Sequence, residues 1–220
     1  MIKEILQIGE AGLGNEKTAD QKGYVYQDSI TPRNFHETYK PLAQALYQHY
    51  QNVSSVLELG SGCGSLCYHY KTFNVAVKYV TIDINKDIPC FPFPNELHFI
   101  AFTDKPFQLV EENENGDMTP VTFDTVYSFE HFEHIDPDKI MVLLNNIKTH
   151  CHAGTIVVAT AANHVRDSHP TVWARQKWVQ VIESCGFEML NKTILNKNNL
   201  PFHIKLAESH ELIFSLKETK

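Results

Sequence analysis

The densest set of groups able to do chemistry in this chain is Glu130-His131-Phe132-Glu133-His134. On one helical turn, Glu130, Glu133 and His134 stand at i, i+3 and i+4 and share a face. Two carboxylates and an imidazole suit a hard or borderline divalent ion such as Mg2+, Mn2+ or Zn2+. The same spacing also fits a cluster that binds nothing, because acids near a helix N-terminus are favoured by the helix dipole alone. Without a metal, His131 or His134 is the candidate general base, since imidazole titrates near neutrality. Glu130, His131 and His134 are therefore the candidate catalytic groups.

A second stretch, Val56-Leu57-Glu58-Leu59-Gly60-Ser61-Gly62-Cys63-Gly64-Ser65, is an apolar run with one acid, followed by three glycines at alternating positions. It reads as a strand, a tight turn and the start of a helix. Glycines let a ligand approach the backbone closely and let the chain take positive φ. The turn's amides are expected to face the ligand. The spacing E-x-G-x-G-x-G differs from the dinucleotide fingerprint G-x-G-x-x-G, which occurs nowhere in the chain. The β-branched run Val75 to Asp83 ends in an acid about 20 residues after the glycines, where a carboxylate can accept bonds from ribose hydroxyls.

Together, Glu58 to Gly64 and Asp83 resemble motif I and the following acid of class I S-adenosylmethionine-dependent methyltransferases, and the resemblance runs over roughly residues 50 to 220. It implies a Rossmann-like, doubly wound α/β fold whose seven-stranded, mostly parallel sheet ends in an antiparallel strand, with helices on both faces. It also implies S-adenosyl-L-methionine as cofactor. The cofactor contacts then fall on Glu58, Gly60, Ser61, Gly62, Cys63, Gly64, Asp83, Ile84, Thr103, Asp104, Ser128 and Phe129. Of these, Asp104 stands where the family often places an acid near the adenine amino group.

The E-x-x-E-H pattern is similar to the divalent-metal site of ubiquinone-biosynthesis O-methyltransferases and of small-RNA terminal 2′-O-methyltransferases. That similarity implies a metal held by Glu130, Glu133, His134 and His169, with His164 as the alternative fourth ligand. The implied reaction moves a methyl group to an oxygen of a small hydroxylated molecule, with nitrogen or carbon as secondary targets. Two other readings stay open: an RNA-end 2′-O-methyltransferase, and a methyltransferase-like module that binds without catalysis. Tyr24, Tyr26 and Tyr39 are aromatic rings that could close over a positive sulfonium.

The elements that must position these groups follow from periodicity. Residues 1 to 33 are polar and turn-rich, the pattern of a loosely ordered arm. Apolar residues from Asn34 to Gln51 recur every three or four positions, as in an amphipathic helix interrupted near Pro41. Strands are expected at 54–59, 75–83, 97–102, 123–128, 154–161, 188–195 and 210–216. Helices are expected at 65–73, from 136 or 137 to 149, and at 170–185. Residues 105 to 122 read as a solvated loop or hairpin. Strand and helix alternate, which requires a parallel sheet covered on both faces.

Composition narrows the class. The 220 residues suit a single methyltransferase domain, with residues 1–50 as arm and helix and 51–220 as catalytic core. No run approaches the roughly 18 apolar residues a membrane span needs, and the start carries no secretory pattern, so a cytoplasmic setting is the expectation. Five scattered cysteines have no metal or disulfide spacing. A net charge of −7 and only three arginines, Arg33, Arg166 and Arg175, argue against nucleic acid as a partner. The expected partner is a small-molecule methyl acceptor, with a homodimer through the helix before the first strand left open.

Overall fold

The computed structural model describes residues 2–6, 37–84, 98–196 and 209–217. Tyr24, Tyr26, Cys90, Arg33 and the rest of the arm beyond Leu6 lie outside the described residues, as does most of the connection into the last strand.

Among the described residues, ten strands form two sheets. In chain order they are β1 (Ile2–Leu6), β2 (Ser55–Leu59), β3 (Lys78–Asp83), β4 (His98–Ile100), β5 (Gln108–Glu112), β6 (Met118–Pro120), β7 (Phe123–Ser128), β8 (Cys151–Ala162), β9 (Phe187–Met189) and β10 (Ser209–Leu216). The larger sheet has the order β4-β3-β2-β7-β8-β10-β9. Strands β4, β3, β2, β7 and β8 run parallel, and β10 lies antiparallel between β8 and β9. The strand order reverses beside β2, and such a switch point opens a crevice at the carboxyl ends of the strands. The expected fold class is the one found.

Alternating side chains on the central strands feed two cores. On one face Leu57, Leu59, Val80, Ile82, Val126 and Phe214 pack with helices α3 (Ile140–Thr149) and α4 (Arg175–Ser184). On the other, Val56, Tyr79, Tyr127 and Ile213 pack with α1 (Lys40–His49) and α2 (Ser65–Phe73). The expected interruption near Pro41 is found, a short turn preceding α1 and the helix proper starting at Lys40. Pro41 occupies the first turn, where its missing N–H leaves no intrahelical bond unmade.

Five segments depart from expectation. The chain's opening residues are not part of a loose arm: β1 pairs antiparallel with β5, and β5-β6, the hairpin that is one of the two readings of 105–122, completes a second, three-stranded sheet. The helix expected from 136 or 137 begins at Ile140, behind a three-residue 3-10 turn, Phe132–His134. Residues 170–174 are not helical, because the Thr171 N–H donates to the Glu133 carbonyl (3.2 Å) and its hydroxyl to the Ile135 carbonyl (2.6 Å). Finally, the strand expected at 188–195 is only Phe187–Met189, and β8 begins three residues early, at Cys151.

Candidate active site

The turn after β2 closes on itself. The N–H groups of Gly60 and Ser61 both donate to the Ile82 carbonyl (2.8 and 3.3 Å), Gly62 donates to Oδ2 of Asp83 (2.7 Å), and Gly64 donates to the Ser61 carbonyl (2.8 Å). These four amides are therefore not free to face a ligand, contrary to expectation. A turn with its donors already taken up is a poor phosphate cradle but still a close-approach surface, which suits a ligand without phosphate. Gly60 has φ +68°, and a Cβ built there would lie 2.5 Å from Cγ of His131. Gly64, at φ +74°, leads directly into α2.

A small, partly open cleft lies above this turn. Tyr39, Glu58, Gly60, Ser61, Gly62, Cys63, Ser65, Phe129 and Glu130 line it. Among the described residues this lining holds two acidic side chains and two aromatic rings and no lysine or arginine, a composition that favours a positively charged ligand. Glu58 is almost fully buried and accepts a hydrogen bond from the Tyr79 hydroxyl (2.9 Å). Burial pushes its carboxyl up to about 8, against the opposing pull of Tyr79. Asp83 ends β3, buried against the turn. Gly64, Asp83, Ile84 and Asp104 fall outside the lining: Gly64 leads into α2, Asp83 touches the cleft through its bond to Gly62, Ile84 lies just after β3 and Asp104 in the turn after β4.

Thr103 and Ser128, expected to touch cofactor, are buried below the cleft and hold His131 instead. Ser128 Oγ donates to the Leu59 carbonyl (3.2 Å), so it accepts from His131 Nδ1–H (2.9 Å). That assigns the tautomer and leaves Nε2 as the acceptor for the Thr103 hydroxyl (2.8 Å). Desolvation, reinforced by His134, lowers the His131 imidazole to about 3. His131 is thus corrected from candidate base to a neutral buckle beneath Gly60: both nitrogens are engaged, and protonation is strongly disfavoured.

Glu130 takes φ +51°, the one left-handed non-glycine among the described residues. Its N–H is held by Oγ1 of Thr160 on β8 (2.9 Å). Such strain persists where the surroundings over-determine it, commonly at functional sites. The left-handed step takes the chain off a helical path before the Phe132–His134 turn and leaves Glu130 in the cleft lining, so the three do not share a helical face. As a metal ligand Glu130 is corrected: it is absent from the cluster that forms.

That cluster is Glu133, His134 and His169, one ligand atom of each lying within 4.8 Å of the others. Glu133 is fully buried, and among the described residues neither carboxylate oxygen has a partner in good hydrogen-bond geometry, although the N–H groups of Glu133 and Ala162 lie near enough to favour its charged form. Burial first, and Glu130 second, raise its carboxyl to about 8. The His134 and His169 rings approach edge to face, centroids 4.9 Å apart. His134 Nδ1–H donates to the Ser168 carbonyl (2.7 Å) and His169 Nδ1–H to the His164 carbonyl (3.1 Å), which leaves the lone pair on Nε2 of each. Burial holds both imidazoles below their usual range. Backbone carbonyls fixing the tautomers of two histidines beside a buried carboxylate is how metal-ligating histidines are prepared. The donor set fits a borderline divalent ion. His164 contributes its carbonyl, not a ligand nitrogen.

Residues that reading the sequence did not single out complete the arrangement. Tyr79 supports Glu58, Thr160 supports Glu130, and Thr171 brings the His169 segment against the 133–135 turn. Only the hydroxyl-bearing positions Thr160 and Thr171, beside an otherwise apolar strand and before a tryptophan, carried any signal.

The chain matches a family model described as a methyltransferase domain over residues 32–197. Similar solved structures include 1,6-didemethyltoxoflavin-N1-methyltransferase of Burkholderia thailandensis with bound 1,6-didemethyltoxoflavin and S-adenosylhomocysteine. It is 12% identical, with 92% of this chain and 90% of that chain covered and a TM-score of 0.64. The glycopeptide N-methyltransferase MtfA complexed with S-adenosyl-L-methionine is 11% identical (81% and 94% covered, TM-score 0.58). Human N-acetylserotonin methyltransferase, also complexed with S-adenosyl-L-methionine, is 12% identical (85% and 55% covered, TM-score 0.55). No curated protein matches the chain. At these identities the structural likeness is one of fold.

Proposed function

Because the chain belongs to the class I S-adenosylmethionine-dependent methyltransferases, whose domain spans residues 32–197, we propose that it transfers a methyl group to a hydroxyl oxygen of a small molecule, assisted by a divalent ion at Glu133, His134 and His169. The observation that carries this reading is the cleft lined, among the described residues, by acidic and aromatic side chains without a basic one, over a turn four of whose amides are already bonded. S-adenosylmethionine, when bound, supplies an electrophilic methyl group on a sulfonium and a cationic amino group.

The chain's own residues then have defined work. Gly60 to Gly64 let the ligand lie against the backbone, and Asp83 holds ribose hydroxyls. Glu58 faces the positive charge, while Tyr39 and Phe129 present ring faces to it. Since methyl transfer is an in-line displacement, alignment and exclusion of water supply most of the rate enhancement. Glu133, His134 and His169 would hold the ion, which lowers the acceptor hydroxyl's pKa. With no ion bound, His134 Nε2 is the remaining candidate base, now that His131 is occupied.

The buried state of Glu58 gives a prediction. Its carboxyl titrates at about 8 and so is protonated near pH 7 in the ligand-free protein. The fold favours the neutral form, so this group's contribution to stability falls as pH rises from 4.5 towards 8. A cationic ligand reverses the preference, and binding at pH 7 releases up to about one proton. Titration calorimetry with S-adenosylmethionine in two buffers of different ionisation enthalpy measures it. Binding heats should differ between buffers for the native chain and coincide for Glu58→Gln; coinciding heats for the native chain contradict the assignment.

The ion has its own test. Purified protein should carry about one divalent ion, and Co2+ loading should give a visible spectrum that Glu133→Ala abolishes. The same substitution, or a chelator, should lower turnover by about 100-fold or more while leaving S-adenosylhomocysteine affinity unchanged. Full activity in metal-free protein ends the metal-assisted reading. The acceptor is sought with labelled S-adenosylmethionine on catechols, sugars and short RNA. The cluster also supports RNA ends as acceptor, but the net charge of −7 opposes it, and transfer to RNA alone would reverse the order of the two readings.

A further inference from the structure

We propose that Asn146, a buried residue of α3 that does not line the cleft, is a positioning residue for cofactor binding: it fixes the segment from which Thr103 holds the His131 ring beneath Gly60. The inference rests on the cleft being the cofactor site.

Helix α3 is apolar where it meets the sheet, through Ile140, Leu143, Leu144 and Ile147, yet Asn146 and His150 are buried with them. Asn146 directs all of its bonds at one stretch of backbone. Its Nδ2 donates to the carbonyls of Thr103 (2.9 Å) and Lys105 (2.8 Å), and its Oδ1 accepts the Phe107 N–H (3.2 Å). One turn later, His150 Nδ1–H donates to the Asn146 carbonyl (2.6 Å), which leaves Nε2 to accept the Leu109 N–H (2.9 Å). The segment between β4 and β5 is thus gripped at 103, 105, 107 and 109 by two side chains of one helix. A buried connection without a strand partner must find its bonds elsewhere, and here a single carboxamide supplies three of them.

What lies at the end of this grip links it to function. Thr103 Oγ1 reaches His131 Nε2, His131 Nδ1 reaches Ser128, and Ser128 reaches the carbonyl of Leu59, the residue before Gly60. The space at Gly60 is closed by the same imidazole, so ring and turn cannot move independently. Removing the carboxamide orphans three backbone groups and releases Thr103. The displaced ring then no longer supports the floor of the cleft.

The test compares Asn146→Ala, Asn146→Asp, Thr103→Val and Thr103→Ser by calorimetry with S-adenosylhomocysteine and by 15N spectra of the His131 imidazole, with Asp83→Ala as the reference. Asn146→Ala and Thr103→Val should each weaken binding about 10-fold or more, and should replace the single Nδ1–H tautomer of His131 with a mixture. The double variant should bind about as the weaker single does, because both changes cut one relay. Thr103→Ser, which keeps the hydroxyl, should bind like the native chain. Asn146→Asp keeps the acceptor and the size but loses both donors, so it should show the same loss if the alanine variant fails to fold. Folded Asn146 and Thr103→Val variants that bind within twofold of native, or leave the His131 spectrum unchanged, overturn the proposal. Native-like binding by Asp83→Ala instead overturns the cleft reading on which it rests.

Discussion

Gly60→Ala should abolish measurable S-adenosylhomocysteine binding and lower the melting temperature by about 5 °C or more. Two effects act at this one position. A residue with a Cβ held in the left-handed region costs roughly 1–2 kcal/mol, and Gly60 sits at φ +68°. The added Cβ would also lie 2.5 to 2.8 Å from three atoms of the His131 side chain, an overlap that must be relieved at a further cost of about 1–3 kcal/mol. Neither neighbour yields easily, since His131 is bonded at both nitrogens and the turn is bonded to Ile82. The interpretation has an internal check in the pair Gly60→Ala with His131→Ala. Removing the ring relieves the overlap, so the double variant should be less destabilised than the sum of the singles by about 1 kcal/mol or more in denaturant unfolding. Strict additivity would mean that the ring is not what Gly60 accommodates.

Asp83→Ala is expected to weaken cofactor binding by about 100- to 1,000-fold, or ~3–4 kcal/mol. Its carboxylate accepts the Gly62 N–H at 2.7 Å and so ties the end of β3 to the turn. In the proposed complex it also accepts from ribose, and hydrogen bonds to charged groups are worth about 1.5–3 kcal/mol each. Asp83→Asn separates the two contributions. The amide oxygen can still accept from Gly62, but the charge is gone, and a loss of roughly 10-fold is expected. Calorimetric titration of both variants gives the comparison: equal losses would place the whole effect on the lost charge, and native-like binding by the asparagine variant would place it on the tie to Gly62.

Where local pattern and tertiary need agree, the sequence is legible. The segment 65–73 is helical within the expected bounds, and the apolar runs ending at Leu59 and Asp83 are neighbouring parallel strands. The turn between them was recognisable because three alternating glycines have few uses other than close approach. Its hydrogen bonding was not, since the acceptors lie on the next strand and one of them is a backbone carbonyl. The second sheet was hidden for a related reason: Ile2–Leu6 finds its partner about a hundred residues away, at β5, and no local periodicity marks such a pairing.

The acidic-histidine stretch shows how spacing can mislead. Positions i, i+3 and i+4 imply a shared face only if the backbone is helical throughout, and Thr160 draws the Glu130 N–H out of that path. Glu133 and His134 still converge, but with His169, through the bonds Thr171 makes to the 133–135 turn. Asn146 and His150 did leave a trace. They stand one turn apart on the buried stripe of an otherwise apolar helix, a position where a polar side chain needs a specific partner.

The most direct measurement is a crystal structure with S-adenosylhomocysteine at saturating concentration. The account predicts the adenosyl group against Gly60 to Gly64, its ribose hydroxyls on the Asp83 carboxylate and its amino group beside Glu58. Density for the ligand elsewhere on the protein, or an empty cleft above that turn, would contradict it.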